Sequence, residues 1–215
     1  ESMMSSLKAR NIGYYGAGHN STEAHSLYIA TVKGTRVALL GYSAIPGDVE
    51  AGPTNTGIAF VKIPPRYPTN EAYIAQMEAD IKAAKAQSDV VISVFHWSEE
   101  YTHQQSDTMR QVAHRAIDAG ATMVVGSHPH WVQGIEWYND HLVPYSLGNF
   151  VFDQEQMLET KQGMFLTATF DGSSLVGAKY TPIQIEQYYQ PHLLDGAAAQ
   201  KVLNDVYSHS WWPVQ

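Results

Sequence analysis

Apolar and polar residues follow two different rhythms along the first part of the chain, and each rhythm predicts a type of element. Short runs rich in β-branched residues predict strands at 27–32, 36–42, 89–95 and 122–125. Apolar residues three or four positions apart predict amphipathic helices at 70–87 and 107–119, the second capped by Asp107 and ended by Gly120. Strands that alternate with helices indicate an α/β fold with buried parallel strands.

Farther along the chain, the pattern indicates antiparallel pairs. Turn sequences at 139–140 and 172–174 each separate two strand-like runs, which predicts two hairpins: 134–138 with 142–147, and 162–171 with 175–186. A final helix is predicted at 195–208, and the Trp-Trp-Pro sequence at 211–213 is expected to dock the C-terminus on the body. Because no repeat or long linker interrupts the chain, we expect residues 1–215 to form one domain.

Composition narrows the range of functions. Of the 215 residues 44% are hydrophobic, which is enough for a core. With 21 acidic and 13 basic side chains, a net charge of −8 and no Lys/Arg cluster, we expect no nucleic-acid partner. The chain has no cysteine, so any transition-metal site must use histidine and carboxylate ligands. No apolar run approaches the about 20 residues that span a membrane.

Histidines follow two of the predicted buried strands at the point where each strand ends. His96 comes directly after one strand, and His128 and His130 follow the next. Because loops at the carboxyl ends of parallel strands converge on one crevice, we expect the three imidazoles to meet there, where they would suit Zn, Mn or Fe. We expect extended backbone at 128–130, which would aim two rings to different sides, with Pro129 restricting the turn. The alternative is that these histidines only cap strands and bond to the backbone.

Several short motifs, in a fixed order, carry a resemblance to a known family. They are His96-Trp97-x-x-Glu100-Tyr101, Ile117-Asp118-Ala119-Gly120-Ala121, Gly126-x-His128-Pro129-His130, Gln133-Gly134-Ile135-Glu136 and Tyr145-Ser146-Leu147-Gly148-Asn149-Phe150. An upstream segment, Gly16-Ala17-Gly18-x-Asn20 followed by Glu23-Ala24, matches as well. From about 16 to 153, the chain strongly resembles the bacterial capsule-synthesis, CapA-like (poly-γ-glutamate) family.

The resemblance implies a fold and a set of metal ligands. Members of this family resemble calcineurin-like metallophosphoesterases, so we expect an α/β sandwich of that kind. By the same analogy His96 would be a ligand, with His128 on one metal and His130 on the other. Two ions about 3.5–4 Å apart would clamp an oxyanion and activate a water. Glu100 would act as general base or orient a ligand, although a solvated loop charge is an equally good interpretation of it.

Two further residues are candidates for contact with a substrate. Asn149 lies at a predicted strand end near the crevice, where hydrogen bonding to a substrate and turn formation are both plausible. Trp97 follows His96 and either packs in the core or walls the site.

The resemblance also implies a function, in poly-γ-glutamate capsule synthesis or export. The expected chemistry is metal-dependent hydrolysis of a phosphoester or an amide, with an anionic polymer or phosphoester as substrate and Mn, Fe or Zn as cofactor. The alternative is a non-catalytic scaffold or polymer-handling subunit that contacts membrane synthase subunits. In both cases we expect an extracytoplasmic position in the cell envelope, with anchoring to the membrane through a segment outside these residues.

The sequence departs from the family pattern in two ways. Ser98 stands where the family commonly has glycine. The family's early Asp-bearing strand end and its Asn-Asn-His segment, which supply a bridging carboxylate and further ligands, are expected before residue 1. We therefore expect this chain to be the C-terminal part of the family domain, and to hold by itself an incomplete dinuclear site.

Overall fold

The structure, a computed structural model, describes residues 2–211 of the chain. The described helices are α1 (Ser2–Lys8), α2 (Ser21–Ala24), α3 (Glu71–Lys85), α4 (Asp107–Asp118) and α5 (Gly196–Ser208), with a 3-10 turn at Glu159–Lys161. The described strands are β1 (Ala17–Gly18), β2 (Tyr28–Val32), β3 (Thr35–Ser43), β4 (Gly57–Ile58), β5 (Val90–His96), β6 (Met123–Ser127), β7 (Ile135–Tyr138), β8 (His141–Pro144), β9 (Gln162–Asp171), β10 (Ser174–Glu186) and β11 (Gln190–Leu193).

The central layer is a mixed sheet of six strands in the order β2-β3-β5-β6-β8-β7. Strands β3, β5 and β6 run parallel, with Leu39 opposite Ile92 and Ile92 opposite Met123. At the two sides, β2 pairs antiparallel with β3, and β7 pairs antiparallel with β8. The predicted α/β class and the predicted parallel arrangement of the buried strands are confirmed.

One face of this sheet packs on α3 and α4. Leu40 and Phe95, on the parallel strands, are buried in one apolar cluster with Met77 and Ile81 of α3 and Val112 of α4. These helical residues recur every three or four positions, which places them on a single face of each helix. Burial of these helix faces against the sheet fixes the parallel strands, and with them the carboxyl ends of the strands, where the histidines lie.

The other face is covered in part by a second, three-stranded sheet in the order β11-β10-β9, together with α5. Met123 and Leu142 of the central sheet share an apolar cluster with Met164 of β9 and Val202 of α5. The layers are therefore helices, a mixed sheet, and a smaller antiparallel sheet with its helix.

Two local features differ from the sequence prediction. Ser106, and not Asp107, caps α4: its side chain accepts a hydrogen bond from the backbone N–H of Met109 at 3.2 Å, and Asp107 is the first helical residue. Strand β11 was not predicted, because its sequence has a proline at 191 and little apolar alternation. It forms at the edge of β10, where a proline is tolerated.

The chain end returns to the central sheet beside β7. The backbone N–H of Trp211 donates to Ile135 O at 2.9 Å, and the Arg110 guanidinium lies 4.3 Å from the centre of the Trp211 ring. Trp212 and Pro213, which the sequence predicts to dock with it, lie outside the described residues. Within residues 2–211, no helix has both the length and the apolar character needed to cross a bilayer.

Candidate functional site

The carboxyl ends of β5 and β6 bring the three predicted histidines together. These strands are parallel neighbours, and His96 lies opposite Ser127 in their register. His96 Nε2 is 3.2 Å from His128 Nδ1, and the ring centres of His128 and His130 are 5.8 Å apart. The predicted convergence of three imidazoles at one edge of the sheet is confirmed.

The two loops that carry the site bend through left-handed backbone. Ser98 and Tyr101 have φ of 78° and 61°, and His128 and His130 have φ of 97° and 61°. The prediction of extended backbone at 128–130 is therefore wrong, since the chain turns on both sides of Pro129. Such conformations cost on the order of 1–3 kcal/mol for residues other than glycine, and they cluster at functional sites. The φ of Ser98 also shows why glycine suits that position.

Hydrogen bonds fix the tautomers of His96 and His128 when both rings are neutral. The Ser127 hydroxyl donates to Phe95 O at 3.1 Å, so its oxygen accepts from His96 Nδ1, 3.2 Å away. His96 Nε2 then carries a lone pair, to which His128 Nδ1 donates. As a result His128 Nε2 is also unprotonated and carries a lone pair, and this buried atom has no hydrogen-bond partner.

The unpartnered nitrogen of His128 faces a carboxylate. His128 Nε2 lies 3.5 Å from Glu100 Oε1. Protonation would join the two groups, but desolvation, followed by the neighbouring His96, lowers the pKa of His128 to about 4 in spite of Glu100. At neutral pH, two electron-pair donors therefore face each other across a gap that holds no proton, which is an unfavourable arrangement unless a cation joins them.

His96 lies at the mouth of the same crevice, and its environment also favours the neutral ring. Desolvation lowers the pKa of His96, although the nearby carboxylate of Asp48 opposes the effect. Asp48 accepts a hydrogen bond from the Ser43 hydroxyl at 2.6 Å, at the end of β3. A neutral imidazole is the form that can donate an electron pair to a metal.

His130 is oriented by Asn149, which the sequence analysis proposed as a substrate contact. Asn149 Nδ2 donates to Thr160 O at 2.8 Å, so its Oδ1 is free to accept from His130 Nδ1 at 2.9 Å. His130 Nε2 is left as a lone pair. Asn149 is buried and engaged at both ends, which favours a role in positioning His130 over the predicted contact with substrate. Tyr101 stacks on the other side, with ring centres 5.9 Å apart.

Trp97 lies beneath the site and does not wall it. Its side chain has no exposed surface, and its indole N–H donates to Tyr145 O at 3.1 Å. The ring stacks on Phe95 with centres 4.6 Å apart. A side chain without exposed surface cannot contact a substrate directly, so the packing alternative accounts for Trp97.

Arg66 is a site residue that sequence reasoning missed, as is Asp48. The Arg66 guanidinium donates to Glu100 Oε2, the carboxylate whose other oxygen faces His128. Arg66 lies in an irregular loop before α3, more than 30 positions from Glu100, and no motif or spacing in the sequence relates the two. Only the fold brings this cation to the crevice.

The histidines and Glu100 do not form a closed metal cage in this arrangement. Among the residues that the structure describes, no three His, Asp or Glu side chains are disposed to share a single ion. What these residues provide is a set of adjacent electron-pair donors of borderline-metal type.

Fold and site together define an α/β protein with a histidine- and carboxylate-lined crevice at the carboxyl ends of its parallel strands. The model for the family described as bacterial capsule synthesis protein PGA_cap matches residues 1–154. The chain belongs to this family of CapA-like proteins, as its ordered motifs predicted.

Two curated relatives are capsule proteins of bacilli. The PGA biosynthesis protein CapA of Bacillus subtilis (strain 168) is 36% identical over 146 residues, which cover 67% of this chain and 36% of that protein. The capsule biosynthesis protein CapA of Bacillus anthracis is 34% identical over 149 residues, which cover 69% of this chain and 34% of that protein. The matched region is thus about a third of the length of these relatives.

Other similarities are weaker. A protein of Mycobacterium tuberculosis (strain ATCC 25618 / H37Rv), named a probable polyglutamine synthesis accessory protein, is 25% identical over 196 residues, covering 86% of this chain and 50% of that protein. A solved structure of a hypothetical protein from Thermus thermophilus superposes with a TM-score of 0.49 and 11% identity, covering 74% of this chain and 62% of that one. A superposition of that quality assigns no fold family.

Proposed function

We propose that the chain acts in capsule polymer synthesis at the cell envelope, as a metal-dependent hydrolase with a calcineurin-like sandwich fold. Its substrate would be a phosphoester or an amide bond of an anionic polymer. The family and the names of the Bacillus relatives support the capsule role. The observation that carries the hydrolase proposal is the pair of electron-pair donors, His128 Nε2 and Glu100 Oε1, that face each other 3.5 Å apart.

The donors present suit a divalent transition metal such as Mn, Fe or Zn. His128 Nε2 and His130 Nε2 carry lone pairs, and Glu100 adds a carboxylate. His96 orients His128 and has a lone pair of its own, which becomes available when its hydrogen bond to His128 opens. Such an ion, once bound, would supply Lewis-acid polarisation of the scissile group. The dinuclear centre expected from the family resemblance would need ligands beyond those described here.

The residues around this position have distinct proposed roles. Glu100 would accept a proton from the attacking water, because its carboxylate faces His128 Nε2 at 3.5 Å. Asn149 holds the ring of His130, and Ser127 holds the ring of His96. Trp97 supports the loop from beneath and keeps the positions fixed.

The hydrolase proposal is tested by activity on two substrate types. A chromogenic phosphoester and a γ-linked glutamate oligomer are each incubated with the chain and Mn²⁺ or Zn²⁺. We expect cleavage of one of them, a loss of about 100-fold or more in kcat/KM in His128→Ala, and no change in His192→Ala, because His192 is an exposed strand residue. Equal activity in wild type and His128→Ala would contradict the proposal.

A non-catalytic, polymer-handling role is the second candidate. The observation that favours it is that no three of the described His, Asp or Glu side chains are disposed around one ion. In that case the chain would bind a γ-linked glutamate oligomer without cleaving it, as part of an assembly with membrane synthase subunits. Binding without cleavage, in the presence of metal, would favour this role over the hydrolase.

A further inference from the structure

The Arg66–Glu100 ion pair adjoins a cavity whose lining mixes apolar and polar side chains. The cavity has a volume of about 320 Å³, and the residues directly before each partner line it: Pro64 and Pro65 before Arg66, and Ser98 and Glu99 before Glu100. The wall is completed by the hydroxyl and amide side chains of Thr102, Gln104, Gln105 and Ser106. A volume of about 300–1,000 Å³ is typical of sites for small ligands.

Arg66 is held in this structure by a group that belongs to the chain itself. Its guanidinium bonds Glu100 Oε2, while Glu100 Oε1 faces His128 Nε2. The Arg66 side chain keeps 36% of its surface exposed, so a ligand can approach it without displacing the core. A guanidinium presents a planar fork of donors that matches a carboxylate.

The geometry points to a binding subsite for a carboxylate-bearing amide chain, in which Arg66 anchors the carboxylate and the cavity accepts the adjoining amide backbone. Glu100 occupies the Arg66 fork until such a ligand displaces it, and the exchange frees Glu100 to face His128 alone. The inference rests on the proposed function for the class of substrate, an anionic amide polymer. The new element is Arg66, which would select a ligand that carries a negative charge.

Part of the cavity wall carries groups that can bind an amide backbone. Gln104 offers an amide group. The hydroxyls of Thr102 and Ser106 each accept a backbone N–H already, but like that of Ser98 they can still donate to an amide carbonyl. Glu99 adds a negative charge to the lining and is exposed, so a second carboxylate is disfavoured inside the cavity. The carboxylate of the ligand is therefore expected on the Arg66 side.

The test measures binding in the presence of EDTA, so that it does not depend on metal or on cleavage. The probes are a γ-linked glutamate pentamer and the neutral γ-linked glutamine pentamer, titrated by calorimetry and by the NMR shift of the Arg66 side-chain N–H. We expect the wild type to prefer the glutamate pentamer by roughly tenfold, as for a charge-assisted hydrogen bond. Arg66→Gln should abolish the preference, and Arg66→Lys should keep part of it because it keeps the charge without the fork.

Two further variants make the result specific. Glu100→Gln removes the internal competitor, so we expect it to bind the glutamate pentamer several-fold more tightly than wild type, which a merely structural ion pair would not do. Arg36→Gln is the matched control, because Arg36 pairs with Asp89 at the opposite end of β5. Thermal melts check that each variant is folded.

Either of two outcomes would overturn the inference: unchanged discrimination in folded Arg66→Gln, or no preference for the glutamate pentamer in wild type. The subsite and the hydrolase proposal can be tested independently of each other. Arg66-dependent binding in a chain that neither binds metal nor cleaves substrate would retain the subsite and reject the hydrolase.

Discussion

The surroundings of His128 favour the neutral form of its imidazole ring. His128 is buried, it donates from Nδ1 to His96, and its Nε2 has no hydrogen-bond partner although the carboxylate of Glu100 lies 3.5 Å away. Its backbone is left-handed as well. Each of these features is energetically unfavourable by itself, and their coincidence on one residue indicates a position that suits a cation.

The depressed pKa of His128 predicts how stability depends on pH in metal-free protein. The folded pKa is about 4 and the ordinary value 6.5, so between these values the unfolded state binds the proton and the folded state does not. The free energy of unfolding is therefore highest above pH 6.5 and falls as the pH drops toward 4, by up to about 3 kcal/mol from this residue.

The measurement is urea denaturation in EDTA at pH 7 and at pH 4.5. Replacing His128 by Asn, which keeps a donor for His96, should flatten the difference between the two pH values, while the exposed-site control His192→Asn should not. An equally steep loss of stability in His128→Asn would assign the pH dependence to other groups.

The spacing of residues in the sequence predicted that the three histidines meet, but it did not predict their hydrogen-bond and ion-pair partners. His96, His128 and His130 were predictable because each follows a β-branched run, and parallel strands end at one edge. The sequence predicted Asn149 as a substrate contact and not as a partner of His130. That partnership depends on a turn that brings position 149 back beside position 130. Arg66 and Asp48 lie in irregular loops without a motif, and only tertiary structure relates them to the crevice.

Among the elements, α4 and β7 are joined by a buried carboxylate. Glu136 of β7 accepts hydrogen bonds from Tyr145, Arg110 and His114, the last two on α4. Burial by itself would raise the pKa of Glu136, but these hydrogen bonds outweigh it and the pKa is lowered. The network fixes α4 against β7 and against Tyr145, which follows β8 and stacks on Trp97.

Removal of this carboxylate is expected to destabilise the fold strongly. Glu136→Ala leaves the Arg110 guanidinium and the Tyr145 hydroxyl without their acceptor, which should lower the free energy of unfolding by about 3 kcal/mol. The matched control is Glu186→Ala, an exposed residue that lies 3.7 Å from His192, for which we expect a change of less than about 1 kcal/mol. Denaturant titration of both variants at pH 7 measures the difference, and equal effects would contradict the structural role of the network.

Periodicity located the long elements well and their ends less well. The helix predicted at 70–87 is α3, Glu71–Lys85, because Ile74, Met77 and Ile81 give one apolar face. The predicted start of α4 at Asp107 agrees with the structure, but the predicted cap is wrong, since Ser106 and Asp107 are both good caps and only the hydrogen bond to Met109 decides between them. Two-residue strands such as β1 and β4 carry no periodic signal at all.

For the whole molecule, the sequence predicted the α/β class and the family, and both are confirmed. The finer architecture, a calcineurin-like sandwich, stays a proposal, because its identity depends on how two sheets pack and the local patterns report only single elements. The chain also matches only about a third of the length of its Bacillus relatives, so the activity of the complete proteins is inferred and not read from this part.

Elemental analysis is the direct test of whether the crevice of His96, His128 and His130 binds a transition metal, as we propose. The chain is stripped with EDTA, incubated with Mn²⁺ or Zn²⁺, freed of unbound ion and compared with His128→Ala and His192→Ala. We expect about one equivalent of metal or more in wild type and in His192→Ala, and a marked loss in His128→Ala. Metal at background level in wild type, or equal metal in all three proteins, would contradict it.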